Sequence, residues 1–208
     1  MLRLGVLGCG RIGKVHARAA IKNPKCKVTA VADAETKAAA ALAEETGARA
    51  VTVDETIAAR DVDAVIICSP TDTHVDYVEA AAKAGKAILC EKPVSLSAER
   101  IATCLERIEP TGAPLMVGFN RRFDPSFALL ERHLREGRIG SVESITITSR
   151  DPAPPTVDYI RRSGGLFRDM MIHDFDLARF LLREEPIEVY AVQDGAANST
   201  RWVIPPSW

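Results

Sequence analysis

The chain has 208 residues, 47% hydrophobic and 26% charged, with 27 Lys and Arg against 28 Asp and Glu for a net charge of −1. That suffices for one large domain or two small ones, and near-neutral charge without a basic stripe among aromatics argues against nucleic acid as a partner. No apolar run approaches the ~20 residues of a membrane span. Strand-like sequence begins at Leu2, leaving no room for a leader, and the five cysteines, without C-x-x-C spacing, read as reduced thiols of a cytoplasmic protein.

Along the first part of the chain, short β-rich runs at 2–7, 27–32, 64–68, 86–90 and 115–117 alternate with Ala- and charge-rich helical stretches at 13–22, 34–46, 72–84 and 97–108. Strand–helix alternation means crossover connections, and crossovers mean a parallel sheet with helices on both faces. Residues 1–120 therefore read as a doubly wound α/β, Rossmann-type domain.

The character then changes. A helix is expected over 124–136 and a half-buried strand over 142–149, where apolar and polar residues alternate. A Pro-rich loop at 151–155 and Gly164-Gly165 lead to a helix over 167–182 and a strand over 187–193. Residues 121–193 read as part of an α+β domain. The tail, 194–208, has no clear period, and Ile204-Pro205-Pro206-Ser207-Trp208 suits neither strand nor helix.

The first chemistry-bearing motif is Gly8-Cys9-Gly10-Arg11-Ile12-Gly13, directly after one expected strand and opening a helix. Gly8 permits a tight turn, Gly10 lets a pyrophosphate approach the backbone, and Gly13 lets the helix pack closely. The helix start offers N–H groups and a partial positive charge to phosphates. Asp33, at the end of the next strand, is the acidic residue expected to hold ribose hydroxyls, and its carboxylate repels a 2′-phosphate. Ala34 adds no cation, although Lys37 stands near, so NAD is favoured over NADP. The competing reading is a structural glycine cluster with Asp33 capping the next helix. The four histidines are scattered and no metal-ligand spacing is present, so no metal site is expected.

Further signatures follow in order: Cys68-Ser69-Pro70-Thr71-Asp72-Thr73-His74, Gly85-Lys86, Cys90-Glu91-Lys92-Pro93, Gly118-Phe119-Asn120-Arg121-Arg122-Phe123-Asp124, and the stretch from Ser163-Gly164-Gly165 through Arg168-Asp169-Met170-Met171-Ile172-His173-Asp174 to Asp176. With the glycine turn, they resemble the glucose-fructose oxidoreductase/inositol dehydrogenase/rhizopine catabolism (Gfo/Idh/MocA) family, nearest its myo-inositol 2-dehydrogenase branch, over residues 1–193.

The resemblance implies a second domain built on a mostly antiparallel sheet, homo-oligomers formed through that sheet, and oxidation or reduction of a hydroxyl on a cyclic polyol or sugar. It also implies that Lys92, Asp169 and His173 are catalytic and that Asn120 or Arg121 contacts substrate. The cofactor is expected against Gly8, Gly10, Arg11, Ile12, Gly13, Asp33, Ser69, Pro70, His74, Glu91 and Lys92, with packing at a helix start the competing role for His74. Members run well past position 208, so the second domain is expected to be partial. The alternatives are a dehydrogenase of another sugar, an NADP-linked aldose or a ketosugar, and a cofactor-binding protein without catalysis.

These residues suit the reaction physically. Alcohol oxidation needs a base as well as a hydride acceptor; an imidazole such as His173 suits the first role, and an ammonium such as Lys92 can hold the oxygen as charge develops. A carboxylate at Asp169 keeps an ammonium charged and can relay a proton. On a regular helix Asp169 and His173 would share a face that Asp176 continues, with Met171, Phe175, Ala178 and Leu182 packing on the other. Arg121 and Arg122 also read as a solvated pair, as do Arg161, Arg162 and Arg168.

Overall fold

The computed structural model describes residues 1–150, 153, 163–193 and 200–203. The chain divides into two compact units, Met1–Gly118 and Phe119–Trp208.

The first unit is built on six parallel strands in the order β3-β2-β1-β4-β5-β6: β1 (Leu2–Leu7), β2 (Cys26–Ala32), β3 (Arg49–Ala50), β4 (Ala64–Ile67), β5 (Ala87–Cys90) and β6 (Leu115–Val117). Helices α1 (Arg11–Ile21), α2 (Thr36–Thr46), α3 (Val53–Ala58), α4 (Thr71–Lys83) and α5 (Ala98–Ile108) make the crossovers. The period-2 pattern sorts side chains between two cores. Leu4, Val6, Ala64 and Ile66 join Ala17, Ala20, Ala39 and Leu42 of α1 and α2. Leu7, Val65 and Ile67 join Ile57, Val75, Val78, Cys104 and Ile108 of α3, α4 and α5. The strand order turns back between β1 and β4, which opens the crevice where such sheets bind ligands.

The expected strands and long helices are present to within a residue or two. The short pieces β3 and α3 were not expected; two residues carry no period, and α3 is set instead by a local device, a capping box in which Thr52 and Glu55 bond reciprocally.

In the second unit a 3-10 turn, Asn120–Phe123, leads into α6 (Pro125–Arg135), started by Asp124, whose Oδ1 accepts from the Ser126 and Phe127 N–H groups at 2.9 and 3.2 Å. A π-helical turn, Phe167–Met171, runs into α7 (Ile172–Leu182), and β7 (Tyr190–Gln193) pairs antiparallel with β8 (Thr200–Val203).

Four expectations need correction here. Residues 142–149 form no strand: Ile145, Ile147 and Ser149 alternate in burial with exposed Thr146 and Thr148, but the segment has no ladder partner among the described residues. The helix over 167–182 begins as a wider π turn, so four-residue spacing does not stack Asp169 on His173 as a regular α-helix would. The inward face of α7 carries Asp176, Leu177 and Leu181, one residue off the expected stripe, while Phe175 is exposed; Arg122 supplies the countercharge that lets a carboxylate take a buried position. Finally, residues 194–208, expected to form an aperiodic tail, include β8, so the second unit does not stop at 193.

Candidate active site

The glycine turn closes β1 onto α1. Gly8 has φ +100°, a left-handed conformation, and a side chain there would meet the Cys68 and Ser69 backbone at 2.5 Å. A Cβ on Gly13 would lie 1.8 Å from the Gly8 carbonyl oxygen, so only glycine lets α1 start this close to the turn. At Gly10, by contrast, a Cβ would meet nothing within 4 Å. Gly10 also brings no side chain to cap α1, so the first-turn N–H groups look out over an open backbone surface. That cradle fits a dinucleotide pyrophosphate. Arg11 is exposed and Ile12 half-buried in the same first turn.

Asp33 stands just past β2. Its Oδ2 accepts from the Cys9 N–H at 2.6 Å and its Oδ1 from the Glu35 N–H at 2.8 Å. The carboxylate is thereby aimed by the glycine turn itself, and each oxygen keeps a second acceptor direction for a ribose hydroxyl.

After β4, Pro70 precedes α4 and the Ser69 and Thr73 hydroxyls bond at 2.6 Å. His74, expected against the cofactor, is only 2% exposed. Its Nε2 pairs with the Ser69 carbonyl at 2.8 Å and its Nδ1 with the Pro93 carbonyl at 2.9 Å. The structure thus gives His74 the packing role: it ties the loop after β4 to the one after β5. In that second loop Glu91 pairs with His16 of α1 at 2.6 Å and accepts the Lys92 N–H at 3.2 Å, and the Lys92–Pro93 bond is cis. Lys86 of the Gly85-Lys86 pair is structural, its buried ammonium donating to the Ala59 and Val62 carbonyls at 2.7 Å.

The thiols around the turn are held protonated. Burial, then the Asp33 charge, pushes Cys9 up to about 11, and burial with Glu91 nearby pushes Cys90 up to about 12 and raises Cys68 as well.

In the second unit Asp169 and His173 are half-buried. Asn120 is exposed, but Arg121 is engaged: it pairs with Asp174 and donates to Ser149 Oγ at 3.2 Å, while Ser149 donates to Asp174 at 2.6 Å. Arg122 forks onto Asp176, its Nε 2.9 Å from Oδ2, and its guanidinium lies 5.7 and 5.6 Å from the Phe119 and Phe180 ring centres. The two arginines are thus ion-paired rather than a solvated pair. Arg168 is exposed, and Arg161 and Arg162 lie outside the described residues.

Sequence reasoning missed the His16–Glu91 pair and the Asp174 and Ser149 partners of Arg121. One signal existed for His16. Three residues after Gly13, it sits near the helix side that Gly13 and Ala17 bury against the sheet.

The profile described as "Oxidoreductase family, NAD-binding Rossmann fold" matches residues 2–119, and the one described as "GFO/IDH/MocA C-terminal domain" matches 127–201. The chain belongs to the Gfo/Idh/MocA oxidoreductase family. Its first unit is the NAD-binding Rossmann domain of that family, and the second match runs into β8. Among curated relatives, an inositol 2-dehydrogenase of Rhizobium meliloti is 59% identical over 190 residues, covering 91% of this chain and 58% of the relative. Among solved structures, a myo-inositol dehydrogenase from Corynebacterium glutamicum is 47% identical with TM-score 0.83, covering 87% of this chain and 55% of that one. A scyllo-inositol dehydrogenase from Lactobacillus casei, solved with NAD(H) and scyllo-inositol bound, is 32% identical with TM-score 0.82, covering 92% and 59%. The chain therefore spans less than two thirds of these relatives.

Proposed function

We propose that this Gfo/Idh/MocA member serves the NAD-linked oxidation of a secondary hydroxyl on a cyclic polyol of the inositol class. The observation that carries the reading is the cradle at Gly8, Gly10 and Gly13 with Asp33 aimed from its rim; the 59% identity to an inositol 2-dehydrogenase supports the substrate class. Bound NAD supplies the hydride acceptor. Arg11, Ile12 and the glycines hold its pyrophosphate, Asp33 its adenosine ribose, and Ser69, Pro70, Glu91 and Lys92 the loops beside its other half. Lys92 steadies the substrate oxygen as its proton leaves, His173 takes that proton, and Asp169 supplies the carboxylate of the relay. Asn120 contacts substrate, and Arg121 acts through its Asp174 pairing.

The second unit is read further as an α+β substrate domain with a mostly antiparallel sheet, of which β7 and β8 are described strands, and the protein as a cytoplasmic homo-oligomer assembled through that sheet. Light scattering checks the assembly.

The function is tested by offering NAD with myo-inositol, scyllo-inositol, aldoses and ketosugars and following NADH formation. Inositols are expected to be turned over and Lys92→Ala to abolish turnover while NADH still binds. NADH binding without turnover on any polyol would overturn the reading, as would wild-type activity in Lys92→Ala. Asp33→Ala is expected to weaken NAD more than NADP.

A further inference from the structure

One hydrogen-bonded histidine–glutamate pair in the first unit lies beside the crevice yet belongs to neither the glycine turn nor the ribose contact. His16 Nε2 is 2.6 Å from Glu91 Oε1, with side chains only 27% and 19% exposed. The other Glu91 oxygen accepts the Lys92 N–H at 3.2 Å. Behind the carboxylate, Gly118 leaves the room it needs, since a Cβ there would stand 2.9 Å from the Glu91 Cδ and Oε2. Burial by itself would raise the Glu91 carboxyl; the His16 hydrogen bond and charge, the Lys92 N–H and the Lys92 charge outweigh it and hold the group below the usual carboxylate value. Glu91 is therefore an anion at neutral pH, fixed from three sides: α1, the following peptide and the end of β6.

Its location follows from the topology. A dinucleotide lies across the point where the strand order reverses, between β1 and β4. Asp33 marks the β2 side for the adenosine ribose, and the turn after β1 takes the pyrophosphate. The nicotinamide half then extends over the ends of β4 and β5, where Ser69 and Glu91-Lys92 stand. His16 is on the helix that the glycine turn opens, and Glu91 directly follows β5.

We propose that His16 and Glu91 are a positioning pair that places the nicotinamide half of the cofactor, by locking the end of β5 to the helix that holds the pyrophosphate. The proposal rests on the dinucleotide reading above and does not depend on which polyol is oxidised.

The test compares NADH with ADP-ribose, which has the same adenosine and pyrophosphate groups but no nicotinamide, by titration of wild type, His16→Ala, Glu91→Gln and the double variant. Alanine is the best helix former, so His16→Ala leaves α1 intact, and Glu91→Gln keeps the side-chain shape. Each single variant is expected to lose about tenfold in NADH affinity, the scale of one hydrogen bond to a charged group. ADP-ribose affinity is expected to change less than about twofold, and the double variant to be no worse than the weaker single one. Equal weakening of both ligands, unchanged NADH affinity, or additive losses would overturn the pair alone. Wild type binding neither ligand overturns the dinucleotide reading with it, whereas wild type that binds NADH but oxidises no polyol overturns the proposed oxidation and leaves the pair standing.

Discussion

In the first unit, side chains from Leu4 to Ile108 bury on both faces of one sheet; in the second, only Met171, Leu177 and Leu181 are buried apolar side chains among the described residues. What holds the second unit locally is charge. Asp176 is buried against Arg122, Asp174 is shared by Arg121 and Ser149, Glu131 pairs with Arg183, and Glu185 with Arg179. The apolar sandwich keeps the strand ends still, so the glycine cradle, set by backbone sterics, has a fixed position whatever the charge state of the surroundings. The ion-paired unit can place arginines and carboxylates accurately, but that placement depends on every partner staying ionised.

The largest effect should come from cutting the sandwich. Leu42, fully buried between α2 and the sheet, should cost about 3 kcal/mol as Leu42→Ala, because the cavity adds to the lost transfer energy; urea unfolding checks it. The corresponding cut in the second unit is Arg122→Ala, which strands the Asp176 carboxylate. Fully buried pairs lose about 3–5 kcal/mol on such a cut. Here about 2 is expected, since the Arg122 side chain is 39% exposed and that of Asp176 only 3%. Asp176→Ala should cost less, because a half-exposed guanidinium left behind is resolvated. A larger loss from Asp176→Ala would break the contrast between the units.

The sandwich also explains why the first unit was legible in the sequence and the second was not. Buried parallel strands leave contiguous apolar runs, and Gly8, Gly10 and Gly13 are set by local sterics, so residues near one another in sequence carry the information. Asp33 was legible for the same reason: its position at a strand end is counted along the chain. The Arg122–Asp176 pair spans 54 positions and His16–Glu91 spans 75, distances at which composition and period say nothing. Thus helical period alone puts Asp176 on a working face, although Arg122 lets it bury. The period at Ile145 and Ile147 was real, but alternation describes which side a residue faces, not whether a partner strand pairs with it.

A smaller effect separates folding from binding inside the cradle. Gly10→Ala meets no protein atom and keeps an extended conformation that any residue adopts, so stability should stay within about 0.5 kcal/mol. NADH affinity should nevertheless fall at least tenfold, because the new methyl group occupies the surface that the pyrophosphate approaches. Gly13→Ala should lose both, since its Cβ overlaps the Gly8 carbonyl oxygen. Melting curves read beside NADH titrations distinguish the two variants, and equal stability losses would mean that the turn gives way more easily than its contacts indicate.

The smallest effect concerns acid. Glu91 is depressed in the folded chain relative to the ordinary value of 4.5, so folding favours its ionised form. The stabilisation is complete above the unfolded value and is lost as pH falls through the lower folded one. Acidification below about 4.5 should therefore remove a contribution on the order of 1 kcal/mol, the scale of one hydrogen bond to a charged group discounted for partial exposure. Glu91→Gln cannot ionise, so between pH 5 and pH 3, a window on the order of the carboxylate range, its stability should fall less steeply than wild type in urea titrations. Parallel slopes would mean that the unfolded chain holds Glu91 as favourably as the folded one, and His16 would then contribute position at the crevice without contributing stability.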